Sequence, residues 1–137
     1  MKNPPERWLA FLLRFAGGVC LLAVIPWFMP LGWIAGAHER VGLGTFPDAP
    51  IAEYLARFAS ALCAFYGGLL VFLSLDVHRY AAIIRYQAIA ILVVSGSFLI
   101  LGPRAGLPVP WAVADTVACL AYCAPTLWLQ RKIRGIP

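Results

Sequence analysis

Residues 81–101 read AAIIRYQAIAILVVSGSFLIL, an apolar run broken by one charge, Arg85. About 20 residues rising 1.5 Å each cross a hydrocarbon core about 30 Å thick, so this run has the length and character of a transmembrane helix. Working outward, three more runs of the same kind appear, from Trp8 to Met29, Ile51 to Leu75 and Pro110 to Gln130. Isolated open strands would leave backbone groups unpaired in lipid, and these runs are too long and uniform for barrel strands. The expected fold is all-α, an integral membrane four-helix up-down bundle. It forms one domain over residues 1–137, with spans at about 8–29, 51–75, 81–101 and 110–130.

The remainder of the chain fits that reading. Of its 137 residues 62% are hydrophobic and 12% charged, against about 25% charged in soluble domains. The mean hydropathy is +0.82. A water-soluble domain is excluded, and so is a disordered chain, which needs low hydrophobicity and high net charge. The net charge of +5 is carried by residues that flank apolar runs and form no aromatic-interleaved patch. The lipid bilayer is therefore the expected partner, and nucleic acid is not.

Turn residues punctuate the spans. Pro26 and Pro30 close the first, and Gly32 and Gly36 open an expected loop to Pro50, with Asp48 at the N-cap position of the second span. Residues around Asp76 form a tight turn, with Asp76 as the expected N-cap of the third span. Gly102, Pro103, Gly106 and Pro108 make a short loop, and Pro125 is expected to kink the fourth span.

Lysine and arginine set the orientation. Lys2, Arg7, Arg14, Arg79, Arg85, Arg131, Lys132 and Arg134 fall on one side, and Arg40, Arg57 and Arg104 on the other. Positive charge stays inside, so both termini are expected in the cytoplasm, in a cell inner membrane. Trp8, Trp27, Trp33, Trp111 and Trp128 lie near span ends, as an aromatic belt requires. Lys2, Arg7 and Ala35-Gly36-Ala37 have the outline of a signal peptide. The run between them is long for one and holds Arg14 and Pro26, so the first span is expected to be retained.

Three groups of residues invite a functional reading. Glu53 and Arg57, i and i+4 at the outer end of the second span, share a face, and Asp115 sits at the same level of the fourth. They form either an ion network that sets helix register or a polar site for an anion or proton. Ala52, Ala56, Ser60, Ala64 and Gly68 make a small-residue stripe for helix packing or an oligomer face. At the inner turn, Asp76, Arg79 and Arg85 are candidates for capping or for lipid headgroups.

Cys20, Cys63 and Cys119 fall near mid-membrane, with Cys123 one turn on, but no CxxC pair occurs. Buried apolar packing accounts for them, and no metal or cofactor is expected. His38 and His78 lie on opposite sides of the membrane. A phosphate loop, a nucleophile elbow and HExxH are all missing, so no catalytic residue is assigned and an enzyme is the less favoured class.

Arg57-Phe58-Ala59-Ser60-Ala61-Leu62, Gly67-Gly68 and Asp76-Val77-His78-Arg79-Tyr80, within this span pattern, resemble the DoxX-like group of small bacterial four-helix membrane proteins. The resemblance implies the four-helix architecture and carries over no site residue. Some members of that group are linked to respiratory or thiol-oxidising complexes. Small multidrug transporters also have four short spans but rely on a glutamate within the first, where this chain has only Arg14.

The leading functional expectation is a non-enzymatic accessory subunit or binder of lipid-like small molecules, with a homodimer or another membrane protein as partner. The alternative is a small-solute transporter or channel with an outward polar cavity formed by Glu53, Arg57 and Asp115. A subunit of a membrane oxidoreductase ranks third.

Overall fold

A computed structural model describes residues 3–135; Lys2, counted above among the inner basic residues, lies outside them. The chain is all-α. Its helices are α1 (Pro4–Leu21), α2 (Val24–Phe28), α3 (Leu31–Arg40), α4 (Pro50–Leu73), α5 (Ala81–Arg104) and α6 (Val109–Ile133). Four segments are long and apolar enough to span a membrane: Pro4–Phe28, Pro50–Leu73, Ala81–Arg104 and Val109–Ile133. Each agrees with an expected span to within a few residues. Large apolar side chains such as Phe11, Phe15, Phe65, Val93 and Trp8 stand exposed on these helices. That pattern suits a lipid solvent and no aqueous one.

The first span is interrupted between α1 and α2 by Pro26. Proline has no N–H, so it cannot donate to the Leu22 carbonyl one turn back. That carbonyl instead accepts from Ile25 N, and Ala23 N donates to Cys20 O, three residues back in each case. The helix tightens locally and restarts.

Several features depart from the expected punctuation, among them α5, which continues through Gly102 and Pro103, expected in the loop, to Arg104. Residues 31–40, read as the start of a loop, form α3 despite Gly32 and Gly36. The helix ends in a glycine cap, with Gly42 at φ +80°, Leu43 N donating to His38 O and Gly42 N to Glu39 O. Asp76 does not cap α5, whose N-cap is Tyr80. Pro125 lies within an unbroken α6.

Contacts group the chain into two compact units, one built from the N-terminal residues to Phe15 with the chain from Phe72 onward, the other from Ala16–Val71. In the first, α5 and α6 form an antiparallel hairpin. Ala81 O accepts from Gln130 Nε2, Gln87 Nε2 donates to Tyr122 OH, Thr116 Oγ1 donates to Ser95 O, and Gly102 faces Ala112. The hairpin closes through Gly106 at φ +85°, with Leu107 N donating to Gly102 O and Gly106 N to Pro103 O. Leu9, Leu13, Leu73, Ile84, Cys123 and Thr126 are buried in this unit.

The second unit is held where α1 meets α4. A Cβ on Gly67 would stand 2.6 Å from Gly17 O and 2.7 Å from Leu21 N, and one on Gly17 would stand 2.7 Å from Gly67 O. The two backbones touch, which is how helices associate in lipid where no hydrophobic force draws them together.

Candidate functional site

The expected outer charge cluster resolves into a structural clamp. Arg57 Nε and Nη2 both lie 2.8 Å from Glu53 Oε1, and Arg57 Nη1 donates to Trp27 O at 2.8 Å. Trp27 belongs to the last turn of α2, whose carbonyls lack helical partners. The guanidinium caps that helix end and is oriented by Glu53 one turn back on α4. Asp115, expected at the same level, is exposed on α6 in the first unit. The structure thus brings Glu53 and Arg57 together and spends Arg57 on backbone.

Along the small-residue stripe, Ala64 is buried, Ala52, Ala56 and Ser60 are half-buried, and Gly68 is exposed. The close approach of α4 falls at Gly67, one residue before the expected position, and a Cβ on Gly68 meets open space. Ser60 Oγ donates back to Ala56 O, which satisfies it without a partner helix.

At the turn between α4 and α5, Asp76 Oδ1 accepts from Arg79 N at 3.0 Å, and Tyr80 N donates to Asp76 O. Asp76 therefore caps an isolated helical turn ahead of α5. That backbone N–H holds its carboxyl below the usual 3.8. The Arg79 guanidinium lies 5.7 Å from the Tyr80 ring. Arg85 is exposed on α5. Arg14, on the other hand, turns its Nε to the buried Ser74 hydroxyl at 3.1 Å.

Cys20 is half-buried and Cys63 exposed in the second unit, and Cys119 and Cys123 lie one turn apart on α6. Among the described residues no group of three or more His, Cys, Asp or Glu is placed to hold a metal ion. His38 Nδ1 lies 2.9 Å from Gly44 O, and its ring packs edge-on to Phe46, so it ties down the loop after α3.

The one constellation that sequence reasoning overlooked lies where α1 begins and α6 ends. A cavity of about 370 Å³ is lined by Leu9, Val77, His78, Ala81, Gln130, Ile133 and Arg134. Glu6, nearly buried, sets the His78 ring in place, with Oε1 3.0 Å from Nε2, and its Oε2 accepts from Asn3 N. Gln130 is 5% exposed. Its Nε2 donates to Ala81 O, which fixes the amide's orientation because a carbonyl can only accept. Its Oε1 has no hydrogen-bond partner among the described residues. Glu6, Asn3 and His78 are far apart in sequence from Gln130, so spacing gave no sign of their convergence. The available signal was a glutamine in an apolar helix, which costs free energy unless it is paired.

Comparisons of the chain with protein-family models, with curated proteins and with solved structures returned no match.

Proposed function

We propose that this chain is a non-enzymatic integral membrane protein that holds a lipid-like small molecule in the cavity between the start of α1 and the end of α6. The supporting observation is the character of that cavity. Leu9, Val77, Ala81 and Ile133 supply apolar walls, while His78, Gln130 and Arg134 supply polar groups. Small-molecule sites combine apolar walls with a few convergent polar groups, and this lining contains both. Basic residues gather at the same end, with Arg131 and Lys132 in the last turn of α6. On the positive-inside rule this end is cytoplasmic, and both termini lie there, in a bacterial-type inner membrane.

The transporter reading is less favoured because Arg57, its central cation, is committed to Glu53 and the Trp27 carbonyl. An accessory role is the second reading. It is favoured by the half-buried small side chains of Ala52, Ala56 and Ser60 on α4, which leave room for a second copy or another membrane protein.

Native mass spectrometry of the protein released from lipid nanodiscs tests both. A retained amphiphile, lost in Ala81→Leu with helicity unchanged, is the result expected of a binder. A stoichiometric second chain lost in Ala56→Leu would move the weight to the accessory role. A bare monomer that binds no amphiphile would sink both readings.

A further inference from the structure

Resting on the reading of this cavity as an amphiphile site, we propose that it selects a phosphodiester headgroup carrying an N–H or O–H donor, with Gln130 reading the donor and Arg134 the phosphate.

Two observations carry the choice of headgroup. The first is the unpaired Gln130 Oε1, an acceptor at a 95%-buried residue in the cavity wall whose amide cannot rotate without losing the bond to Ala81 O. A buried acceptor left unmade is costly, so the site gains most from a ligand that brings a donor. The second is the pairing of charges. Arg134, the C-cap residue of α6, lines the cavity beside His78. A guanidinium is suited to phosphate oxygens by its planar set of donors. His78, whose Nε2 faces Glu6 Oε1 at 3.0 Å, lines the same rim. A headgroup that carries a hydroxyl or ammonium close to its phosphate offers a donor to Gln130 and an anion to Arg134, both of which line the cavity. Ethanolamine and glycerol headgroups meet the requirement; choline, whose nitrogen has no hydrogen, does not.

The apolar remainder of the lining argues for a headgroup attached to acyl chains over a free phosphoester. Leu9, Val77, Ala81 and Ile133 have no use for a fully hydrated ligand.

The test uses the full chain in detergent micelles, titrated with phosphatidylethanolamine, phosphatidylglycerol and phosphatidylcholine of identical acyl chains and followed by native mass spectrometry. The first two should bind about tenfold more tightly than the third, the worth of one hydrogen bond of about 1.4 kcal/mol. Gln130→Met keeps the side-chain length and removes the acceptor. It should collapse that discrimination while leaving phosphatidylcholine binding within about twofold. Arg134→Gln should weaken all three together and leave the ratio intact.

Equal retention of the three lipids by the unaltered chain, or discrimination that survives Gln130→Met, would overturn the headgroup assignment while leaving an amphiphile site standing. Complete displacement by soluble glycerophosphoethanolamine at equal concentration would overturn the lipid source. Binding of none of the lipids would remove the underlying reading as well. Should Gln130→Met unfold, Arg134→Gln still decides whether phosphate is read at this site.

Discussion

Gly17 and Gly67 meet backbone to backbone, so closely that a Cβ on either would fall within 2.7 Å of the other's carbonyl oxygen. Neither atom belongs to a flexible side chain, and a methyl group there is accommodated only if a helix moves. Gly67→Ala and Gly17→Ala should each destabilise the fold by about 1–3 kcal/mol, the usual cost of overpacking. Gly68→Ala, which meets open space, should be neutral or slightly stabilising. Unfolding by sodium dodecyl sulfate in mixed micelles, followed by circular dichroism, separates the two outcomes. Equal tolerance at positions 67 and 68 would contradict the close crossing.

The Arg57 clamp has an order built into it. Glu53→Gln leaves Arg57 bound to the Trp27 carbonyl, whereas Arg57→Gln removes both contacts. Arg57→Gln should therefore cost more, about 1 kcal/mol against a few tenths, since both side chains are about a third exposed and solvent screens the pair. A double-mutant cycle measures the pairwise part. Solute uptake by reconstituted vesicles, abolished by Arg57→Gln in a chain that still folds, would revive the transporter reading.

Asp76 gives the turn before α5 a pH dependence. Its carboxyl is held below 3.8 by the Arg79 backbone N–H, so its contribution is complete above that value and is lost as pH falls through the lowered pKa. Thermal midpoints of the unaltered chain should drop below about pH 4 by more than those of Asp76→Asn, which does not titrate. Parallel acid limbs would show that the cap contributes nothing.

Between α5 and α6, Tyr122→Phe removes the 2.6 Å bond from Gln87 Nε2. Hydrogen bonds between membrane helices average about 0.6 kcal/mol, so the loss should be near that value and not several-fold larger. Denaturation in bicelles resolves the difference. A cost above about 2 kcal/mol would mean that Tyr122 supports more than this one contact.

The four spans were legible from residue type alone, because lipid leaves a long apolar run no alternative to a helix that satisfies its own backbone. The break within the first span departs from the expectation that Pro26 closes it, because the missing donor loosens the helix one turn before the proline. The helix at Leu31–Arg40 was not legible either. Gly32 and Gly36 each cost about 1 kcal/mol against alanine, yet the segment is helical and closes with a glycine cap.

The small-residue stripe shows how periodicity misleads over distance. Residues spaced by four advance 400° on a helix with 3.6 residues per turn, so each step drifts by about 40°. From Ala52 to Gly68 the drift is about 160°, which carries Gly68 nearly to the opposite face. Gly67, three residues after Ala64, stays with the buried side alongside Leu70.

Composition and run length by themselves determined that this chain is an all-α membrane protein with four spans, because those properties depend on how each residue partitions between water and hydrocarbon. Tertiary structure alone decided which glycine is the contact, that Arg57 serves a helix end, and that Glu6, His78, Gln130 and Arg134 gather at one end of a unit. Those relationships bring together side chains up to 128 positions apart, Glu6 and Arg134, and arise from how helices pack, which no local preference of the chain encodes.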